Sequence, residues 1–295
     1  MPVSEYPVFQ LQLESSERIE ELGSKAKFWV RLPDDSAWLF KFGRAETGEN
    51  WAEKLGAEVA GLLGLPHAHV ELATFENKHG SVSRSFLPTE GTELVHGNEI
   101  LAGHIIGYDA SKRFRQSDHT FPRIVRALYD LFPEGAVRTE ALTTFAGYLT
   151  LDAIICNVDR HHENWAILRS VPPAPPSLRL APTFDHASSL GRELLDERRQ
   201  RLIQSKRIGD YVRKGEGGIY WKETDPHGEN PLEICLSAAA VHRTYFDRWI
   251  DRVKTIEDEE LDLLVQKVPG DWMSQIAKNF ALAMMRFTVE QLRQL

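Results

Sequence analysis

Residues 151–168, LDAIICNVDRHHENWAIL, place a dense run of polar side chains between two apolar stretches. The apolar residues on both sides indicate that the segment is buried, and buried polar groups are costly unless they are paired. A chain keeps such a run mainly for a tight turn, a metal site or a reaction. The segment therefore favours folds that give these side chains partners or a chemical use.

The chain has 295 residues, of which 42% are hydrophobic and 26% charged, as in a globular protein with one large domain or two ordinary ones. Its net charge of -8 argues against a protein that coats nucleic acid by charge alone, so we expect no direct DNA binding. The N-terminal sequence lacks a secretory-signal pattern, and no apolar run approaches the roughly 20 residues that span a bilayer. We therefore expect a cytoplasmic protein without a membrane partner, and Cys156 and Cys235 fit buried reduced thiols.

The N-terminal part of the chain predicts strands with one helix. KFWVRL (27–32) and AWLFKF (37–42) flank PDDS, a turn sequence that is typical of a hairpin. The segment 49–64 predicts a helix, because its apolar residues recur at helical spacing. Those residues are Leu55, Val59, Leu62 and Leu63. HVELATF and SVSRSFL predict two further strands.

Beyond about residue 90 the pattern becomes mostly helical. The segment from Thr139, a good N-cap, to Cys156 predicts one helix, and residues 239–295 predict three or four amphipathic helices. We therefore predict an α+β fold with two lobes that form one catalytic unit. A small β-rich N-lobe covers residues 1–88, and a larger α-helical C-lobe covers residues 89–295.

Three oxygen-bearing side chains are expected at one end of a predicted hairpin in the C-lobe. NWAILRS and SLRLAPTFD predict two strands joined by a proline-rich loop. In an antiparallel pair, Asn164 precedes the first strand and Asp185 follows the second, so both lie at the same open end, beside Asp159. Hard oxygen ligands of this kind suit Mg²⁺. A further Asp beside a metal-bound nucleotide can accept the proton of an attacking hydroxyl.

The N-lobe offers groups that can bind phosphate. Lys41 lies on a strand whose opposite face is aromatic, and an ion pair with Glu53 would hold its ammonium ready for nucleotide phosphates. Glu49 and Glu58 are alternative partners for Lys41.

Upstream, Gly23, Ser24 and Lys25 precede a strand, where backbone N–H groups can face phosphate. With a single glycine, this phosphate loop is a weak signal by itself.

Taken in order, these motifs resemble those of the HipA-type serine/threonine kinases. The resemblance rests on Gly23-Ser24-Lys25, Lys41, Glu53, NVDRHHEN (157–164) and APTFDHASSLG (181–191), and it covers nearly the whole chain. The Asp-Arg-His-x-x-Asn pattern is also similar to the catalytic loop of phosphoinositide-3-kinase-like enzymes. The resemblance implies a protein-kinase-like fold, ATP and Mg²⁺ as cofactors, and a protein Ser or Thr hydroxyl as phosphoryl acceptor.

The resemblance also implies a role for each motif. It makes Asp159 the catalytic base, Asn164 and Asp185 the Mg²⁺ ligands, Lys41 a phosphate contact, and Phe86 with Leu87 the adenine-binding hinge. In this setting His161 is expected to brace the catalytic loop by hydrogen bonds. Ser24 is implied as a site of self-phosphorylation, and a phosphate there would repel the nucleotide phosphates and switch the kinase off.

Several alternatives remain open at this stage. His161, His162 and His186 also suggest zinc, although the expected Cys or spaced His partners are missing. The acceptor could be a small molecule or a lipid, and a nucleotide-binding pseudokinase would share the fold. The family implies an antitoxin-like partner, although the extra N-terminal subdomain of full-length HipA toxins is not expected here.

A basic segment follows the predicted metal ligand Asp185. Residues 192–214 contain eight basic and four acidic residues, a local charge of +4 in a chain of -8. This segment is either a solvated amphipathic helix with internal ion pairs or an activation-segment-like element that docks an acidic protein or an RNA-bound substrate.

Overall fold

We describe a computed structural model of the chain, which covers residues 4–12, 16–20, 27–32, 34–87, 91–172 and 176–295. Within these ranges the protein has a small lobe built on a six-stranded sheet and a larger, mainly helical lobe with a three-stranded sheet. The α+β, two-lobed prediction is therefore confirmed. The predicted boundary between residues 88 and 89 lies outside the described residues.

The small lobe is built on a mixed sheet. Its strands are β1 (Val8–Leu11), β2 (Ser16–Glu20), β3 (Lys27–Arg31), β4 (Ala37–Phe42), β5 (Val70–Phe75) and β6 (Lys78–Arg84). Their order is β1-β5-β6-β4-β3-β2; β1 runs parallel to β5, and the other neighbours are antiparallel. The predicted hairpin is the β3–β4 pair.

One face of this sheet buries aromatic rings, which fixes the register of β4. Phe28 packs edge-on against Phe75 at 4.7 Å between ring centroids, and Phe40 packs against Phe42 at 4.9 Å. Because side chains alternate along a strand, burying Phe40 directs Lys41 to the other face. Lys41 thereby reaches the cleft between the lobes.

Helix α1 (Glu49–Leu63) packs on strands β5 and β6 of the small lobe and on the large lobe. Its stripe residues Leu55, Val59 and Leu63 are buried. The helix ends at Gly64, whose φ of 72° lies in the left-handed region that favours glycine. Helix α1 therefore joins the cores of both lobes.

The large lobe contains the second sheet and most of the helices. Its sheet has the order β7 (Thr92–His96), β8 (Ala166–Ser170) and β9 (Leu178–Leu180), all antiparallel. The described helices are α2 (Gly97–His104), α3 (Phe121–Leu131), α4 (Ala136–Ile155), α5 (Asp196–Gln204), α6 (Ile208–Val212), α7 (Pro231–Val241), α8 (Arg243–Thr255), α9 (Asp258–Gln266) and α10 (Gln275–Arg293). None of these described helices is long and apolar enough to cross a membrane.

Helix α4 begins one turn earlier than predicted. Thr139 is not its N-cap; the helix starts at Ala136 after Gly135, and the Thr139 hydroxyl donates to the Gly135 carbonyl oxygen at 3.1 Å. Gly135 has a φ of 105°, which only glycine adopts readily, so the chain can enter the helix there. The last fifteen residues of α4 are all buried, which makes it the central helix of the large lobe.

Candidate active site

A cleft of about 450 Å³ is lined by strands of both sheets. Its wall contains five of the candidate residues from the sequence, namely Lys41, Phe86, Leu87, Asn164 and Asp185. Apolar side chains, including Leu39, Ala68, Leu94 and Phe184, line the same cleft. An apolar wall with a few convergent polar groups is typical of a small-molecule site.

Residues 157–164, here named the polar loop, begin where α4 ends. Cys156 caps the helix with a φ of 52°, and the chain turns back toward the cleft. Arg160 anchors the loop: it is 2% exposed and makes a bidentate ion pair with the buried Asp152 at 2.7 and 2.8 Å. Arg160 also donates to the Asn164 carbonyl oxygen at 2.6 Å and to Thr183 at 3.1 Å. The polar run of the sequence is thus paired rather than buried alone.

Asp159 is held at an exposed point of the polar loop. Its side chain is 41% exposed, and its Oδ2 accepts a hydrogen bond from Ser188 Oγ at 3.3 Å. The Nε2 atom of His161 lies 4.0 Å from Asp159 Oδ1. A carboxylate that is oriented yet accessible can take a proton from an incoming hydroxyl.

A chain of contacts connects Asp159 to helix α1 of the small lobe. Ser188 Oγ, which donates to Asp159, accepts from Arg192 Nη2 at 3.2 Å. The other terminal nitrogen of Arg192 lies 3.0 Å from Oε1 of Glu49, which is 3% exposed at the start of α1. The orientation of Asp159 therefore depends on side chains from both lobes.

Asn164 and Asp185 lie at the open end of the β8–β9 pair, as the hairpin argument predicted. Asn164 precedes β8, and its side-chain amide donates to the Asp159 carbonyl oxygen at 2.7 Å. Asp185 follows β9 with a φ of 60°, a left-handed conformation that is uncommon for Asp. Both side chains line the cleft. Asn164 is thus tied to the residue that was predicted as the base.

Lys41 forms an ion pair with Asp185, with Nζ and Oδ1 3.2 Å apart. Burial lowers the pKa of Lys41, but Asp185 and then Glu53 raise it by more, so it lies above the ordinary value. Glu53 therefore contributes to the charge around Lys41 from its buried position on α1. The two alternative partners point elsewhere, because Glu58 pairs with Lys54 and Glu49 with Arg192.

The adjacent histidines of the polar loop have different surroundings. Nδ1 of His161 accepts from the Glu163 backbone N–H at 3.2 Å, whereas Nδ1 of His162 lies 2.7 Å from the Tyr108 hydroxyl. Burial lowers the pKa of His161 to about 3, so this ring is neutral at pH 7. Among the residues that the structure describes, no group of three or more His, Cys, Asp or Glu could hold a metal ion by itself.

His119, behind the polar loop, gives a testable pH dependence. Its Nδ1–H donates to the Gly218 carbonyl oxygen at 2.7 Å, and its Nε2 accepts from Trp165 Nε1 at 3.1 Å. Burial lowers its pKa to about 3, with His162, His161 and Arg160 acting in the same direction. Below about pH 6.5, His119 therefore binds a proton in the unfolded chain but stays neutral in the folded protein.

We expect the free energy of unfolding to fall as the pH drops from about 6.5 toward 3. His119→Gln should lower stability at pH 8, because the Trp165 contact is strained or lost, and should make the acid-induced fall shallower. Urea unfolding at pH 8, 6 and 4.5 measures both effects. A His119→Gln slope equal to that of the unchanged chain would contradict this assignment.

The donor set at the cleft fits Mg²⁺. One amide oxygen from Asn164 and one carboxylate from Asp185 are hard oxygen ligands, and Mg²⁺ normally keeps several water or phosphate oxygens besides one or two such side chains. The Lys41 ammonium, paired with Asp185, places a positive charge beside these oxygen ligands.

The structure brings most of the sequence-predicted residues to one place. Lys41, Asn164, Asp185, Phe86 and Leu87 line the cleft, and Asp159 and His161 line a neighbouring pocket. Gly23, Ser24 and Lys25 lie outside the described residues, so the phosphate loop and the self-phosphorylation of Ser24 stay predictions.

Sequence reasoning missed three side chains that organise the site. Arg113 lines both the cleft and the neighbouring pocket, Asp152 holds Arg160, and Ser188 contacts Asp159. For Asp152 there was a signal, since it is the one charged residue in the apolar run 141–155. Arg113 lies in a loop without a pattern, and nothing in the sequence marked it.

Comparisons with known proteins agree with this geometry. A model of the HipA-like C-terminal domain family matches residues 21–254. A search of curated protein sequences gave no match.

Two solved structures are similar in fold. The crystal structure of the Helicobacter pylori proinflammatory kinase CtkA has a TM-score of 0.78 at 18% sequence identity and covers 98% of both chains. HipA from Shewanella oneidensis MR-1, solved with HipB and operator DNA, has a TM-score of 0.55 at 15% identity, covering 94% of this chain and 67% of that one. At these identities the similarity establishes the fold alone, which is that of a kinase.

Proposed function

Because this chain belongs to the HipA-like C-terminal domain family, we propose that it is a kinase that phosphorylates Ser or Thr of a protein with ATP and Mg²⁺. The observation that carries the proposal is the convergence of Lys41, Asn164 and Asp185 in one cleft, with Asp159 tied to Asn164 by a hydrogen bond. Phosphoryl transfer needs these parts: a cation for the phosphates, oxygen ligands for the metal and a proton acceptor.

In this proposal the adenine ring enters the apolar part of the cleft. Phe86 and Leu87 follow β6 and form the hinge, while Leu39, Leu94 and Phe184 supply apolar wall. Lys41 binds the α- and β-phosphates, and its pair with Asp185 fixes the ammonium before nucleotide arrives. Asn164 and Asp185 hold Mg²⁺, which when bound neutralises charge on the phosphate oxygens.

Asp159 then acts as the base. The acceptor oxygen forms its bond to the γ-phosphorus while the bond from that phosphorus to the β,γ-bridging oxygen breaks. The acceptor proton passes to Asp159, and ADP leaves. Ser188 keeps the Asp159 carboxylate aimed at the acceptor by its hydrogen bond, and the His161 ring lies beside that carboxylate. The family also motivates an antitoxin-like protein as a proposed partner.

The metal assignment predicts a specific pattern of nucleotide affinity. We expect Asn164→Ala and Asp185→Ala each to weaken binding of ATP with Mg²⁺ by roughly tenfold or more, because each removes an oxygen ligand. Binding of ATP in EDTA should be unchanged, or stronger for Asp185→Ala, since that change frees Lys41 for phosphate. Isothermal titration calorimetry with and without Mg²⁺ measures both.

Asn279→Ala, at an exposed position on α10, is the matched control for that titration. If both site variants lost the same affinity for ATP with and without Mg²⁺, Asn164 and Asp185 would not be Mg²⁺ ligands.

Labelled ATP tests the kinase proposal directly. The purified chain is incubated with γ-labelled ATP and a bacterial lysate, beside Asp159→Asn, and the products are separated into protein, lipid and small-molecule fractions. Label on protein Ser or Thr that requires Asp159 supports the proposal. Label found only in the lipid or small-molecule fraction would show that the acceptor is not a protein. Absence of ATP turnover with any acceptor would favour a pseudokinase.

A further inference from the structure

A second, smaller pocket borders the polar loop on the side of Asp159. It has a volume of about 100 Å³, enough for a short side chain, and both Asp159 and His161 line it. Arg113 lines this pocket and the nucleotide cleft, so the two spaces meet at that side chain. A hydroxyl in the small pocket would lie next to the proposed base and beside the end of the cleft that holds Asn164 and Asp185.

The wall opposite the polar loop is formed by residues 109–118, here named the basic loop. The basic loop is ordered by its own hydrogen bonds: the buried Gln116 donates to the Asp109 carbonyl oxygen at 2.7 Å, and Ser111 N–H donates to the Asp109 side chain at 2.9 Å. At its end, Asp118 pairs with Arg123 on α3. These hydrogen bonds therefore hold the backbone of the loop that carries Arg113 and Arg115.

The two arginines of the basic loop differ in their partners. Arg113 forms an ion pair with Glu163 of the polar loop at 3.0 Å. Arg115 is exposed, and within the described part of the chain its side chain forms no ion pair or hydrogen bond. Its φ of 51° lies in the left-handed region, an unfavourable conformation for Arg, and the residue lines the small pocket.

The charged side chains that line the pocket are Arg113, Arg115 and Asp159. Glu163 balances Arg113. Among the described residues, the side chain of Arg115 has no ion-pair partner, and it lines the same pocket as the proposed base Asp159.

We propose that this pocket binds the acceptor residue of an acidic peptide segment, with Arg115 holding an Asp or Glu side chain that flanks the acceptor hydroxyl. The proposal rests on the kinase function proposed above and adds its substrate class. Phe114, whose ring is 68% exposed and contacts His161 edge-on at 6.5 Å, offers apolar surface to the same peptide. Arginine is suited to the task because its planar guanidinium binds a carboxylate bidentately.

The charge pattern favours an acidic peptide over RNA. A nucleic-acid backbone is bound by a row of cations along its phosphates. The basic loop instead carries three basic residues, Lys112, Arg113 and Arg115, between Asp109 and Asp118. Arg113 is already paired with Glu163, so the loop suits a partner with one or two carboxylates.

A charge-reversal experiment tests the assignment. Three peptides share one acceptor Ser and carry Glu, Gln or Lys at the flanking positions; kcat/KM and, by fluorescence polarisation with Mg²⁺-ADP, Kd are measured for each. We expect the unchanged chain to favour the Glu peptide over the Lys peptide by about tenfold or more. Arg115→Glu should reverse the order, and Arg115→Gln should abolish the preference.

Arg179→Glu, an equal charge change at an exposed position on β9, is the control and should keep the original order. The same peptide order in Arg115→Glu as in the unchanged chain would overturn the proposal, as would displacement of the Glu peptide by oligouridylate at an equal or lower concentration. Failure of the kinase function has a different signature. No peptide would then be labelled, while the binding arm would still reverse with Arg115→Glu if the pocket is assigned correctly.

Discussion

Replacing Asp159 with asparagine is expected to lower the rate of phosphoryl transfer by about 10²- to 10⁴-fold, the usual contribution of a general base. The change preserves the volume of the side chain and removes the carboxylate that would take the acceptor proton. Ser188 can still donate to the amide oxygen, so the polar loop should keep its conformation. Transfer of label from ATP to protein, measured under single-turnover conditions, gives the rate.

Binding of Mg²⁺-ATP to Asp159→Asn should stay within about twofold of the unchanged chain, because Lys41, Asn164 and Asp185 are retained. Asp210→Asn, at an exposed acidic residue paired with Arg207 on α6, is a matched control that should leave the rate unaltered. If Asp159→Asn retained more than a tenth of the rate, Asp159 would not be the base.

Replacing Arg160 with methionine is expected to destabilise the fold by about 3–5 kcal/mol, the cost of leaving one member of a buried ion pair uncompensated. Asp152, which is 2% exposed, would then be buried without the guanidinium of Arg160. The Asn164 carbonyl oxygen would also lose a hydrogen-bond donor. Urea unfolding followed by tryptophan fluorescence measures the free energy of unfolding.

Two further variants separate charge from volume in that experiment. Arg126→Met breaks an exposed pair with Asp130 on α3 and should cost less than about 1 kcal/mol. Asp152→Asn combined with Arg160→Met removes both charges and should recover part of the loss. A cost for Arg160→Met no larger than that for Arg126→Met would show that the buried pair does not anchor the polar loop.

Local patterns explain what could be predicted from the sequence. The β3–β4 hairpin, helix α1 and the β8–β9 pair each depend on residues close together in the chain, where alternation and turn residues are informative. The placement of Asn164 and Asp185 followed from that pair alone. The start of α4 was misplaced at Thr139, because a cap preference is weaker than the freedom of Gly135 to take a positive φ.

Contacts between distant segments explain what could not be predicted. The ion pair of Lys41 with Asp185 depends on how the two lobes face each other, which no local pattern encodes. Arg113 gains its position from the fold of the basic loop around Gln116, and its partner Glu163 lies on a separate segment. Such tertiary positions depend on packing and pairing across the whole core, so they cannot be predicted from local secondary-structure propensity or from the spacing of residues in the sequence.

A path of contacts runs from Glu49 through Arg192 and Ser188 to Asp159. It connects the position of helix α1 to the orientation of the Asp159 carboxylate. A substitution that shifts the first turn of α1 would break this path at the ion pair between Arg192 and Glu49, and Ser188 would lose the neighbour that positions its hydroxyl. Under the proposed function, the orientation of Asp159 as the base would therefore depend on the packing of α1 between the lobes. A site with that dependence would transfer phosphate to water less readily when the packing is disturbed, because the base is then no longer held toward an acceptor.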